Sequence, residues 1–412
     1  MAESGFITLA ELERSSMPTT YGPGASGGVR PPKRASMATQ SRLPDKYRNL
    51  TPSELDLRIE TARRLLGDSL VILGHHYQRD EIVKHADFLG DSYKLSLQAA
   101  GKSGARYIVF CGVYFMAESA DILSGPAQIV ILPNLTAGCS MADMASLPDV
   151  ITAWERLAEL DPSLIPVTYM NSSAALKAFC GERGGIVCTS SNAPVVVRWA
   201  FDHGRKVLFF PDEHLGRNTA DRIGMTQDEV AVWNPRDLES SLSDASRARL
   251  IVWKGFCSVH ERFTADQIAQ ARVDYPGCRV IVHPECRREV VMAADSAGST
   301  EFIVDEIERA PAGTTLAIGT EVNLVTRLAQ QHPEKTIFCL DPIVCPCSTM
   351  YRIHPAYLAW ALDNALDGTV VNRIAIDDET AANARIALRR MIDVTGASTL
   401  TPATAGLAAA AT

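Results

Sequence analysis

The chain has no apolar run approaching the length that a membrane-spanning helix needs. Its opening residues also lack the apolar core of a signal peptide, so a cytoplasmic protein is expected. There is no basic excess. Lys and Arg number 40 against 48 Asp and Glu, a net charge of −8, so neither nucleic acid nor an anionic membrane is expected as a partner. Two metal signatures are absent as well. No CxxC…CxxC arrangement is present to build a structural zinc site, and no HExxH to build a zinc hydrolase. Ten cysteines remain, and without a signal peptide structural disulfides are not expected. Buried thiols and metal ligands are the readings left for them.

What is present is an ordinary globular composition, 46% hydrophobic and 21% charged, in 412 residues, enough for two or three domains. The ends differ from the rest. Residues 1–50 are rich in Ser, Thr, Gly and Pro, and 395–412 are low in complexity. Both are expected to be disordered.

Between the ends, one pattern occurs three times. Short apolar strands end in a polar tip, and a helical stretch follows each tip. LVILGHHYQ, YIVFCGVYF and IVILPNLTAGC form the first set. IPVTYMNSS, GIVCTSSN and VLFFPDEHLG form the second. RVIVHPEC, TTLAIGTE and TIFCLDPIVCPC form the third. The strands are continuous apolar runs without alternation, as expected of parallel strands buried on both faces. The fold class expected is α/β: three similar αβα sandwich domains with parallel sheets. The expected boundaries are 51–146, 147–256 and 257–347. Residues 218–250 read as an insertion between the second and third units. Two amphipathic helices within 348–394 are expected to pack back on the first unit. Ligands of open α/β sheets bind outside the carboxyl ends of the strands, so three sets of tips would enclose one central site.

Four tips lead into helices: GDS at 90–92 with Ser92 as candidate cap, MNSS at 170–173, TSSNAP at 189–194 and GST at 298–300. Plain N-capping explains any one of them. Several helix starts aimed at one cavity would instead bind a small polyanion, since each carries free N–H groups and partial positive charge. Few Lys or Arg residues lie in these tips, so dipoles and hydroxyls would hold the anion. Proton-moving groups cluster at the same tips: His75, His76 and Tyr77; Tyr169; Asp212, Glu213 and His214; His260; His283 and Glu285. His283 and Glu285 are two apart in extended chain and should face one substrate as an acid/base pair. By the same spacing His75 and Tyr77 should share a face, with His76 turned away from the site.

Cys139, Cys257 and Cys347 follow the ends of units one, two and three. Brought together, they would give three thiolates and one open position, which suits an iron–sulfur cluster with a free fourth iron. Cys111, Cys180, Cys188 and Cys278 have apolar or small neighbours and read as buried thiols. A zinc hydrolase built on CPC at 345–347, and a non-catalytic metabolite-binding protein, remain open alternatives at this level.

Taken in order, GHHYQ, GDS, FMAESADIL, GCSMADM, YMNSS, CTSSNA, FPDEHLG, GFCSVHERF, HPEC, GST, IGTE and CSTM closely resemble the quinolinate synthase family of NAD biosynthesis, over about residues 69–355. The resemblance implies three αβα domains around a pseudo-three-fold axis. It implies one 4Fe-4S cluster on Cys139, Cys257 and Cys347, whose open iron acts as a Lewis acid. The implied reaction condenses iminoaspartate with dihydroxyacetone phosphate to quinolinate, phosphate and water, with L-aspartate oxidase as a possible supplier. Glu285 would be the general base and Tyr77 an assistant in proton transfer, with His260 and His283 also catalytic. His75, Ser92, Tyr169, Asn171, Ser190, Ser299 and Thr300 would hold carboxylates and phosphate. Some family members carry CxxCxxC near the third ligand. Here the cysteines are Cys339, Cys345 and Cys347, and Cys347 is the match because CxxM follows it, with Met350 in place.

Overall fold

The structure is a computed structural model, and it describes residues 40–396 apart from 93, 96, 97, 99–103, 344 and 345. Cys345 and most of both expected disordered ends therefore lie outside the described residues. Residues 40–50 overturn the expectation for their part of the N-terminal segment. Leu43 and Tyr47 are buried, Tyr47 sits on the one-turn helix α1 (Asp45–Arg48), and its hydroxyl donates to Asp363 Oδ2 at 2.8 Å. Burying two such side chains is worth about 1.5–3 kcal/mol each, which anchors a stretch whose other residues are mostly polar.

The first unit runs α2 (Pro52–Leu66), β1 (Leu70–His75), α3 (Asp80–Val83), β2 (Phe88–Gly90), β3 (Tyr107–Cys111), α4 (Tyr114–Leu123), β4 (Ile129–Ile131) and α5 (Ser140–Asp143). The second has α6 (Leu147–Leu160), β5 (Leu164–Tyr169), α7 (Ala174–Glu182), β6 (Ile186–Cys188), α8 (Ala193–His203) and β7 (Lys206–Phe210). It continues with α9 (Glu213–Ile223), β8 (Val230–Trp233), α10 (Leu238–Arg247) and β9 (Leu250–Trp253). The third has α11 (Ala265–Asp274), β10 (Arg279–Val282), α12 (Arg288–Ala293), β11 (Ser296–Ala297), α13 (Thr300–Arg309), β12 (Thr315–Gly319), α14 (Val322–Gln331) and β13 (Thr336–Cys339). The described residues close with α15 (Pro355–Leu366), β14 (Arg373–Ile374) and α16 (Asp378–Thr395).

The strand orders correspond: β2-β1-β3-β4, β6-β5-β7-β9 and β11-β10-β12-β13. All pairings are parallel except that of β14, which adds antiparallel to β4 at the edge of the first sheet. Central strands such as β3 are buried at every residue, which explains their unbroken apolar sequences. The fold is thus α/β with three αβα layers, as the repeated pattern predicts. Among the described residues no helix is long and apolar enough to cross a membrane.

Two expectations need correction. Residues 218–250 are not an insertion between units. They hold most of α9, then β8, α10 and the first residue of β9, and β9 pairs with β7 to extend the second sheet. The C-terminal helices also divide. α15 packs on α2 of the first unit, whereas α16 lies mainly against α7, β6 and α8 of the second and touches the first only at α4, where Arg385 donates to the Ile122 carbonyl. It crosses α7 at Gly181, where a Cβ would stand 1.9 Å from the carbonyl oxygen of Asn383, so only glycine permits this approach. Asn383 Nδ2 donates to Glu182 Oε1 at 3.0 Å, and Arg390 donates to the Gly185 carbonyl.

Candidate active site

The carboxyl ends of the three sheets surround one cavity. From the first unit it is lined by His75, Tyr77, Ser92 and Cys139, and from the second by Tyr169, Asn171 and Ser190. Cys257 and His260 enter from the segment after β9. The third unit adds His283, Glu285 and Thr300, with Cys347 after β13. No Lys or Arg is among the lining residues, and Phe115, Met116, Met141, Met170 and Met350 form apolar wall.

Of the site residues that the family resemblance implies, Ser299 alone is not on the cavity wall; of the other proton-moving groups named from sequence, Asp212, Glu213 and His214 are not on it either. It is the N-cap of α13, and its hydroxyl accepts the Phe302 N–H at 3.4 Å. Ser92 lines the cavity, but it is not the cap. Asp91 accepts the Lys94 N–H at 2.9 Å, so Asp91 opens that helix and Ser92 is its first residue. Ser173 caps α7 through the Leu176 N–H, which holds the loop carrying Asn171. Asn192 accepts the Thr189 N–H at 2.6 Å and shapes the loop carrying Ser190. His76 is turned away from the cavity, and its Nε2 meets Glu301 Oε1 at 3.0 Å.

A chain of hydrogen bonds links all three units. The Tyr169 hydroxyl donates to Glu285 Oε1 at 2.6 Å, and His260 Nδ1 lies 2.7 Å from Glu285 Oε2. His260 Nε2 lies 3.2 Å from Thr320 Oγ1, which lies 2.8 Å from the Tyr77 hydroxyl; that hydroxyl is 3.1 Å from Thr300 Oγ1. A carboxylate only accepts, so His260 Nδ1 carries a proton toward Glu285. Between His260 Nε2, Thr320 and Tyr77 either member of each pair can donate. The result is a continuous hydrogen-bonded path between the phenol of Tyr77 and the carboxylate of Glu285.

Protonation follows from burial and partners. Burial pushes Glu285 up, but the hydrogen bonds from His260 and the Tyr169 hydroxyl outweigh it and hold the carboxyl well below its usual range. Burial and the Glu285 charge push the Tyr77 and Tyr169 phenols far up, so both keep their protons. Burial lowers His75 and His283 to about 3, so both are neutral. Each accepts a backbone N–H at Nδ1, from Tyr77 at 3.1 Å and from Glu285 at 3.3 Å. The remaining proton of each ring is on Nε2, which makes both imidazoles neutral donors. The His283 ring also stacks on His260, with centroids 4.4 Å apart.

Cys139, Cys257 and Cys347 are partly open to the cavity, whereas Cys111, Cys180, Cys188, Cys278 and Cys286 are buried. Burial drives Cys139 up to about 12, and burial raises Cys257 and Cys347 too. The three sulfurs are close enough to oppose one another's ionisation. Backbone N–H groups nonetheless point at each sulfur: Ala142 at Cys139, His260 at Cys257, Thr349 and Met350 at Cys347. Three mutually repelling thiols, each supplied with N–H donors and none with a cation, suit a polynuclear metal–sulfide centre that replaces the protons. Cys257, His260 and Glu285 also place one ligand atom each within 4.8 Å of one another.

Sequence reasoning missed Thr320 as the link between His260 and Tyr77. It also missed Glu321, which accepts the Cys347 N–H at 3.1 Å and caps α14. Both belong to IGTE at the end of β12, a strand tip like the others, and that position was the available signal.

Comparison with known proteins fits this geometry. The family model described as "Quinolinate synthetase A protein" matches residues 58–393. A quinolinate synthase of Corynebacterium glutamicum is 57% identical over 390 residues, covering 94% of this chain and 98% of that protein. Those of Acidobacterium capsulatum and Rhodopirellula baltica are 53% and 51% identical, covering 85% and 84% of this chain and 96% and 93% of theirs. With three-unit architecture, converging tips and matches across nearly their full length, this chain belongs to the quinolinate synthetase A family.

Proposed function

We propose that the chain condenses iminoaspartate with dihydroxyacetone phosphate to give quinolinate, phosphate and water. The observation that carries this reading is the path Tyr77–Thr320–His260–Glu285–Tyr169 bordering the cavity into which three thiols open. Cys139, Cys257 and Cys347 would hold one 4Fe-4S cluster. When bound through three thiolates, such a cluster supplies an open iron as a Lewis acid for dehydration.

The chain's own residues do the rest. Glu285, ionised and buried, takes a proton from substrate carbon. His260 passes protons between Glu285 and Thr320, and Tyr77 returns one to substrate from the far end of the path. His75 and His283 offer Nε2–H to carboxylate oxygens without adding positive charge. Ser92, Tyr169, Asn171, Ser190 and Thr300 supply further donors for carboxylates and phosphate, and Ser299 acts through the start of α13. The methionine and phenylalanine wall keeps water from the reacting imine and strengthens each polar contact. The substrate imine would be supplied by an L-aspartate oxidase, in the cytoplasm.

The test is purification without oxygen, followed by iron, sulfide and quinolinate assays. An iron-free chain that stays inactive after cluster reconstitution overturns the proposal. A second reading, a zinc hydrolase, is favoured by the Cys257–His260–Glu285 set alone. One zinc per chain, no sulfide and hydrolytic turnover would establish it instead.

A further inference from the structure

The helix after the third strand of each unit carries a buried polar residue on its second turn. Glu118 is fifth in α4, Asn218 sixth in α9 and Arg327 sixth in α14, following β3, β7 and β12. Those strands occupy the same place in the three sheet orders. Each of the three side chains leaves its own unit and bonds the main chain of the next unit's first tip.

Glu118 Oε2 accepts the Ala174 N–H at 3.0 Å, just beyond YMNSS. Lys177, buried on α7, donates Nζ to the Ser172 carbonyl, so the loop is held on both sides of Ser173. Asn218 Nδ2 donates to the carbonyls of Pro284 and Cys286, both at 2.8 Å, and these flank Glu285. The Asn218 Oδ1 is buried and has no hydrogen-bond partner among the described residues, so the side chain is used as a double donor. Arg327 donates to the carbonyls of His76 and of Gln78, the latter at 3.1 Å, and these flank Tyr77. Asn323 on the same helix donates to the Tyr77 carbonyl at 3.2 Å. The bonds run from unit one to two, two to three and three to one.

We propose that Glu118, Asn218 and Arg327 are quasi-equivalent positioning residues forming a closed ring, each setting the peptide frame of the next unit's reactive loop. None of the three is on the cavity wall. Bonding the two peptides on either side of a residue fixes the direction of its Cα–Cβ bond, leaving only side-chain rotation. Glu285 and Tyr77, the two ends of the proton path that handle substrate, are framed in this way. A displacement of about 1 Å at such groups can cost roughly 100-fold in rate.

The proposal rests on the proposed function only for its kinetic arm. Its structural arm is amide hydrogen exchange on the full chain, read by segment. Asn218→Asp keeps the volume and loses both donors, Arg327→Met keeps the stem and loses the fork, and Glu118→Gln keeps the shape and weakens the acceptor. Each should speed exchange in the next unit's loop alone, at about 1 kcal/mol per bond: roughly 5-fold for the single Glu118 bond and roughly 30-fold where two bonds are lost, at Asn218 and Arg327. The affected segments are 283–287 for Asn218→Asp, 75–80 for Arg327→Met and 170–176 for Glu118→Gln. Asn218→Ser, which retains one donor, should restore part of the protection. In the kinetic arm, Asn218→Asp should lower kcat by roughly 10- to 100-fold with KM within about twofold, and should move the acid limb of the kcat–pH profile. Iron content should be unchanged. Exchange that rises evenly, or mainly in the mutated residue's own unit, overturns the ring. So does a loss of melting temperature with kcat and its pH profile intact. Should the wild-type chain make no quinolinate, the functional reading fails and exchange alone decides the ring.

Discussion

His75 and His283 do the same thing in two different units. Each stands at the end of its unit's first strand, and each takes the N–H of the residue two positions on at Nδ1, leaving its Nε2 proton for the cavity. In each case that N–H belongs to a proton-handling residue, Tyr77 or Glu285. The two loops are one structural idea, a neutral imidazole bonded to the main chain of its catalytic neighbour.

Acid should destabilise the fold through these two rings. Burial lowers both from 6.5 to about 3. The unfolded chain therefore binds protons first as pH drops. Their contribution is complete above about pH 6.5 and is lost progressively down to about pH 3. Denaturant unfolding at pH 7.5 and pH 5 should show this loss, and a His75→Gln, His283→Gln double variant should flatten it. An equally steep loss in the double variant would assign it elsewhere.

Glu285→Gln should keep the iron content and lower turnover by about 100-fold or more, the scale of a positioned acid/base. Near-normal turnover would place the base at another residue. Cys257→Ala is the complement, with iron and sulfide lost in proportion and a retained circular dichroism spectrum. Iron at the wild-type level in that variant would remove Cys257 from the ligand set.

Tyr169→Phe removes the shortest bond to Glu285, 2.6 Å to Oε1. That bond favours the ionised form, so its loss raises the carboxyl pKa. The acid limb of the kcat–pH profile should move to higher pH. An unmoved limb would mean that Glu285 is not the group titrating there.

Neighbouring residues should part company at GHHYQ. His76→Asn loses a partly buried pairing with Glu301 outside the cavity and should leave kcat within a few-fold. Tyr77→Phe breaks both hydroxyl bonds, to Thr300 and Thr320, and should lower kcat by at least roughly 10-fold. Equal effects would deny the alternation of faces.

Much of this was legible because parallel strands announce themselves. β1, β5 and β10 are apolar runs ending in His, Tyr and Asn or Glu, and the cavity lies where those runs stop. The missed elements had a weaker signal. β8 and β9 are apolar runs of only four residues each, VAVW and LIVW, and α10 between them is LESSLSDASR, of which only Ser241 and Ala245 are buried. Its apolar face is just Leu238, Leu242 and Ala245, so the largely polar segment read as an insertion. α16 has a clear period, but its pattern does not say which sheet it meets; Gly181 and Gly185 decide that from the far side. Thr320 was hidden for a similar reason. Its partners Tyr77 and His260 lie 243 and 60 residues away, and only the assembled tips bring them together. Ser299 and Asp91 show the limit of cap patterns, which do not tell whether a hydroxyl turns to its own helix or to a ligand.

The helix that crosses Gly181 also sets a schedule. α16 is the last described helix of the chain, yet most of the surface it covers belongs to the middle unit, whose last strand ends at Trp253. During synthesis that surface waits, apolar and uncovered, while the whole third unit is made. The middle unit is thus the first candidate for chaperone attention in a nascent chain. A stop codon just before Asp378 would leave its damage in the middle of the protein.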